Sequence, residues 1–214
     1  MINITVNTQK ALRYAAKELG EYKAKAPQVV RTAINNTAKE ARKMLLDKAK
    51  ETYAVKGTAF TGKSGSAMQI TRATTARLQA KLHSEGSPID LYKFKASPSR
   101  YTTGDARPSS TRAKALRASS LKNLKVDDRW AFVVRFKNKK KDKEGNEIGE
   151  SIHYALAQRK GKSRYPIKTL YSQSIPQMVG DEKRVYNIVS PEIEELMYKN
   201  INAGIAKIKG GTSA

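Results

Sequence analysis

Few residues of this chain are of types that do chemistry, and their spacing limits what they could do. There is no cysteine, which excludes a disulfide framework, an iron–sulfur centre and a thiolate zinc site. The two histidines, His83 and His153, are too isolated to read as metal ligands. His153, between Ile152 and Tyr154, reads as a satisfied strand histidine. The carboxylate pairs Asp127-Asp128 and Glu194-Glu195 are adjacent in sequence, so on a strand or helix their side chains diverge and read as solvated surface. Gly62-Lys63-Ser64 superficially resembles part of a phosphate loop, but no nucleotide site is expected there. With no convergent acid, base and nucleophile, the chain reads as a non-enzyme without metal or cofactor.

What remains is positive charge. Lys and Arg outnumber Asp and Glu by 42 to 19, a net charge of +23, which predicts attraction to nucleic acid, to an acidic protein surface, or to both. Residues 93–143 hold 16 Lys or Arg against 4 Asp or Glu and so carry +12 of that total. Within them Arg100, Arg107, Arg112, Lys114, Arg117 and Lys122, then Lys139, Lys140 and Lys141, are the candidate DNA- or partner-contacting residues. The paired aromatics of an RNA-recognition sheet are not spelled out, so any nucleic-acid contact is expected to ignore base sequence.

These cations need a scaffold, and the fold class expected is α+β. A chain of 214 residues can bury roughly 70% of its unfolded surface, enough for one sizeable core, and residues 1–214 read as a single domain. The longest helical pattern runs over 27–53, with Pro27 at its start and no further Pro or Gly until Gly57. Val30, Ile34, Ala38, Ala41 and Leu45, with Ala33, Thr37 and Met44, fall on one arc and form the candidate core or interface face. Before it, residues 1–7 alternate as a strand and Thr8 caps a first helix bearing Leu12, Ala15, Ala16 and Leu19, which hairpins into the long one. Residues 57–66 read as a mobile connection, and 70–94 as strands of an antiparallel sheet packed on the helices.

Residues 96–123 show no apolar periodicity and read as a long flexible basic loop. Residues 130–136 read as a strand with Trp130, Phe132, Val134 and Phe136 on one face and Ala131, Val133 and Arg135 on the other. A charged hairpin excursion follows over 137–150, with Gly145-Asn146 at its tip and a return strand near 152–157. Ser190-Pro191-Glu192 reads as the start of a last helix with a buried stripe of Ile193, Met197, Ile201, Ile205 and Ile208. There is no leader-like segment and no apolar run of about 18 residues, so a cytoplasmically made protein kept off membranes is expected.

Three stretches carry a resemblance. They are the long helix opening Ala26-Pro27 with Ala33-Ile34-Asn35; the segment from Arg72-Ala73-Thr74 through Gln79-Ala80-Lys81-Leu82 to Pro88-Ile89; and Arg164-Tyr165-Pro166-Ile167 followed by Ile175-Pro176 and a C-terminal helix. In order and spacing, over most of its length, the chain resembles the minor tail protein Z family of long-tailed bacteriophages, tail-completion proteins. The resemblance implies a structural virion protein at the head-proximal end of the tail, made in the host cytoplasm. It would form a homo-oligomeric ring, expected as a hexamer, working with tail-terminator and tail-tube proteins and with head connector proteins, while genomic DNA passes through. It implies no enzymatic activity. Residues 96–123 and 137–150 are where this chain departs from the family, so their role is not inherited. The alternative from another class is a non-sequence-specific nucleic-acid-binding protein, nucleoid- or ribosome-associated.

Overall fold

The computed structural model describes residues 8–56, 60, 68–144, 146–163 and 165–211. The strand expected over 1–7, the connection at 57–66 apart from Phe60, the hairpin-tip Gly145, Arg164, and the capping side chain of Thr8 lie outside the described residues. The fold is α+β, with a long N-terminal helix, several antiparallel sheets and a C-terminal helix. Residues 1–214, read above as one domain, divide into two compact units whose segments alternate along the chain. The first is Met1–Ala49, Phe60–Gly86 and Ile175–Ala214; the second is Lys50–Ala59 and Ser87–Ser174.

In the first unit α1 (Thr8–Leu19) buries Ala11, Ala15 and Leu19, one residue per helical turn. Gly20, at φ +57°, ends it in the left-handed conformation that glycine adopts without strain, and a 3-10 turn over Gly20–Lys25 leads into the next helix. That helix, α2 (Ala26–Thr52), is unbroken for 27 residues. Val30, Ala33, Ile34, Thr37, Ala38, Ala41 and Leu45 are buried on it as expected; Met44 is only half-buried. Val29, Val30, Ala33 and Ile34 share one cluster with the α1 stripe and with Met197, Ile201 and Ile205 of α4 (Asn187–Gly210). Each Val, Leu, Ile or Met among them stabilises the fold by roughly 1.5–3 kcal/mol when fully buried. The buried Thr37 hydroxyl accepts from Asn200 Nδ2 at 3.0 Å and donates to Met197 Sδ at 3.6 Å, so its polarity is satisfied between helices.

Strands β1 (Gln69–Thr71) and β2 (Lys81–His83) form an antiparallel pair in the same unit. Asn35 of α2 grips the segment after β1: its Nδ2 donates to the Ala73 carbonyl at 3.1 Å and its Oδ1 accepts from the Ala73 N–H at 2.8 Å. Two of the three stretches that carried the resemblance, Ala33-Ile34-Asn35 and Arg72-Ala73-Thr74, therefore meet. Short helix α3 (Ile175–Val179) precedes a π-helical turn over Glu182–Tyr186 that runs on into α4. Here the expected helix start is corrected. Asp181, whose carboxylate accepts from the N–H groups of Lys183 and Arg184 at 3.1 and 3.0 Å, caps the helical run. Ser190 and Pro191 lie inside α4, because Val185 and Val189 extend the buried stripe upstream of them.

In the second unit β3 (Ile89–Asp90) pairs not with its sequence neighbours but with β12 (Tyr171–Ser172). Strand β9 (Phe132–Lys141) pairs with β10 (Glu147–Arg159) in a long hairpin extended by β11 (Ile167–Thr169). β7 (Lys125–Val126) and β8 (Arg129–Trp130) form a hairpin turned at Asp127 and Asp128, both at positive φ. Among the described residues this unit has four small sheets in place of one, and β1 and β2 make a fifth in the first unit. Residues 96–123 are likewise not an open loop. β4 (Lys95–Ser97), β5 (Arg112–Lys114) and β6 (Lys122–Asn123) form a three-stranded antiparallel sheet. The Thr111 hydroxyl donates to the Ala131 carbonyl at 2.5 Å, and the Leu124 N–H donates to the Thr111 carbonyl at 2.8 Å. Ala113 packs with Val133 and Leu156 in this unit's core. That also decides which face of the strand over 130–136 packs: Ala131 and Val133 are buried, while Trp130, Phe132, Val134 and Phe136 are half-buried. Among the described residues no helix is long and apolar enough to cross a membrane.

Candidate functional site

The second unit contains a cleft built where α2 ends. Residues 53–56 leave the helix as an extended segment with hydrogen bonds on both sides. The Ala54 N–H donates to the Ala115 carbonyl at 2.7 Å, and the Lys56 N–H donates to the Lys93 carbonyl at 2.8 Å. Isolated bridges Tyr53–Leu116 and Val55–Phe94 complete the pairing. Asp90 caps a 3-10 turn over Leu91–Lys93, its Oδ1 accepting from the Tyr92 N–H at 2.8 Å, and so sets Tyr92 against this segment. The open cleft between them holds about 650 Å³ and is lined by Lys56, Lys95, Lys114 and Arg117, with Tyr92 and Phe94 among the walls. Among the described residues no carboxylate lines it.

Three of these cations are fixed by the fold. The Arg117 Nε–H donates to the carbonyls of Lys50 and Tyr53 at 2.8 and 3.2 Å, the negative end of α2, where a guanidinium satisfies orphan carbonyls and opposes the helix dipole. Lys114 Nζ donates to the carbonyls of Arg117 and Ser119 at 2.5 and 2.9 Å, holding that turn closed. Lys56 Nζ sits 4.4 Å from the centroid of the Tyr92 ring, whose hydroxyl donates to the Ser99 carbonyl at 2.8 Å. Burial, and after it the neighbouring Tyr154, raises the Tyr92 pKa above its ordinary value of 10.0, so the phenol stays neutral. Lys95 is exposed, and its side chain forms no hydrogen bond or ion pair among the described residues. It faces Lys114 directly across the sheet, and Arg112, two residues along β5, points from the same face.

The remaining sequence candidates scatter. Arg100 and Lys122 are exposed; Arg107 lies 5.9 Å from the Phe132 ring, which Arg159 approaches at the same distance. Lys139 is paired with Glu147 at 2.7 Å, and its neighbour Lys137 with Glu150 at 3.2 Å, so this part of the hairpin is partly neutralised. The side chains of Lys140 and Lys141 lie outside the described residues. Of the stretch at 164–167, Tyr165 and Pro166 are exposed and Ile167 opens β11. Lys56, Lys95 and Tyr92 were not among the candidates. Of the three only Lys95 has a sequence signal, its place next to Phe94 in an apolar–polar alternation, which sets the lysine on the side opposite a buried aromatic.

The carboxylates and histidines singled out in the sequence lie apart from this cleft's lining. Asp127 pairs with Arg129 and Asp128 with Lys125, each at the hairpin surface. His83 lies 2.8 Å from Glu85, and His153 lies 3.5 Å from the buried Asp90. Among the described residues no three His, Asp or Glu gather as a metal site. Residues 57–64 do spell Gly-Thr-Ala-Phe-Thr-Gly-Lys-Ser, with Gly57 and Gly62 at phosphate-loop spacing. Such a loop follows a strand and opens a helix, whereas here α2 precedes it and β1 follows, and all of its residues but Phe60 lie outside those described. No known protein family, curated protein or solved structure matches the chain.

Proposed function

We propose that this chain is a structural virion protein at the head-proximal end of a phage tail, which completes the tail and enables head–tail joining and DNA passage. In this reading it acts in a homo-oligomeric ring against tail-terminator, tail-tube and head connector proteins, without enzymatic activity. The single observation that carries it is the one-sign cleft. Cations held in place in a cleft that no carboxylate lines among the described residues suit a surface that meets a polyanion without transforming it. The resemblance of the helix, strand and C-terminal stretches supports the location in a tail. Deleting the coding sequence from its phage should leave filled heads and separate tails, with joining restored by supplying the chain in trans. Normally joined, infectious virions without it would overturn the proposal. The same cleft also favours the second reading, a free non-sequence-specific nucleic-acid-binding protein. That reading gains if the chain co-purifies with nucleoid or ribosomes and is missing from tails.

A further inference from the structure

We infer that the cleft lined by Lys56, Lys95, Lys114 and Arg117 binds the phosphodiester backbone of nucleic acid, reading charge and not base. This deepens the proposed contact with DNA by assigning it a site, and it rests on that reading.

The first ground is preorganisation. Lys114 and Arg117 are anchored through bonds to backbone carbonyls and Lys56 by the Tyr92 ring. A ligand therefore need not immobilise them, which for a free side chain costs about 0.5–1.5 kcal/mol each. Anchoring does not exhaust their donors. An ammonium has three N–H groups and Lys114 uses two on carbonyls; a guanidinium has five and Arg117 uses its Nε–H, leaving the terminal fork that matches a phosphate.

The second ground is what the cleft does not offer. Phe94 is fully buried, and Tyr92 carries Lys56 over its ring, has Tyr154 across from it at 6.0 Å, and has its hydroxyl committed to Ser99. Among the described lining residues the aromatics are thus already buried or engaged, so the contact is to backbone, unlike the stacking platforms of most single-strand binders. The third ground is continuity. Lys95 and Lys114 sit opposite each other, and Arg112 continues their face along β5, so the cations form a row. A row fits an anion whose charge repeats at every unit, as a phosphodiester chain does whatever its sequence; an acidic peptide does so only if its carboxylates happen to be spaced for it.

The test uses the full chain and fluorescence anisotropy with labelled duplex and single-stranded oligonucleotides of two unrelated sequences. Three or four phosphate contacts to duplex predict a roughly 40- to 150-fold loss of affinity between 50 and 200 mM salt, with little difference between the sequences. Lys95→Gln should lower the log–log salt slope by about 1, and Lys56→Gln likewise, while Lys39→Gln, on the exposed face of α2, should not. Circular dichroism confirms that each variant is folded. Preference for duplex or for single strand supports the site and names the source of the backbone. Unchanged slopes in both cleft variants, with DNA binding retained, would overturn this site and leave the wider reading standing. Absence of any binding at 50 mM salt would overturn both. Polyglutamate displacing the oligonucleotide more effectively than unlabelled DNA of equal charge would assign the cleft to an acidic protein instead.

Discussion

Gly204 of α4 faces Val29 of α2 so closely that a Cβ at position 204 would lie 2.8 Å from Val29 Cγ1. Optimal carbon contact is about 3.5–4.0 Å, so Gly204→Ala forces a shift of close to an ångström. Val29 has little freedom to yield, because a β-branched side chain in a helix holds essentially one χ1 rotamer and Val29 is buried. Overpacking of this kind costs about 1–3 kcal/mol, while replacing a mid-helix glycine by alanine gains about 0.5–1 kcal/mol from reduced chain entropy. The net expectation is a loss of about 0–2 kcal/mol where propensity alone predicts a gain. Val29→Ala by itself removes two buried methyl-sized groups and should cost about 1.6 kcal/mol or more at roughly 0.8 kcal/mol per group. In the double variant the new methyl of residue 204 occupies space that Val29 vacates, so the pair should be more stable than the sum of the singles by roughly 1–2 kcal/mol. Urea unfolding followed by helical circular dichroism measures all four proteins. If Gly204→Ala is stabilised by the full propensity gain and the two changes add without coupling, the close helix approach is wrong.

Ile34→Asp, placing a carboxylate in the cluster shared by α1, α2 and α4, should cost more than about 4 kcal/mol and unfold the first unit; a variant with unchanged melting would contradict that burial. Arg117→Ala should cost about 1–2 kcal/mol and speed amide exchange at the end of α2, since the Lys50 and Tyr53 carbonyls lose their cationic partner; unchanged protection there would refute the capping role. Tyr92 has a folded-state pKa raised above 10.0, so its contribution to stability is complete below the unfolded value and is lost as pH rises through the folded one. Tyr92→Phe should therefore remove a phenol that resists ionisation in the folded state and flatten the loss of stability above pH 10, read by phenolate absorbance and denaturant titration at each pH.

The helices were legible because each carries many turns of evidence. The arc from Val30 to Leu45 repeats at 3.6-residue spacing, and the helix it predicts over 27–53 is found as Ala26–Thr52. The start of α4 was misread because Ser190-Pro191-Glu192 is a strong local cap signal, whereas the packing of Val185 and Val189 decides where the helical run begins. The strands were harder. β3 and β12 are two residues each and lie some 80 positions apart, too short to show a period and too distant to show a partner. Residues 96–123 bury Thr111 and Ala113, small residues with almost no hydropathy signal, and backbone hydrogen bonds hold the rest. Around 130–136 both faces are apolar, so parity could not choose between Trp130 and Ala131; the aromatics lie beside Arg107, Arg159 and Lys125 and need not be fully buried. As for the cleft, the charge of residues 93–143 was visible in the sequence, but Lys56 and Lys95 come together only through the bridge of Val55 to Phe94.

The central claim, a structural protein at the head-proximal end of a tail, is tested most directly by gold-labelled antibody against this chain on purified tails and virions, viewed by electron microscopy. The account predicts label at one end of free tails, the end that joins the head, and at the neck of intact particles. Unlabelled tails, with the chain recovered instead on host nucleoid or ribosomes, would contradict it.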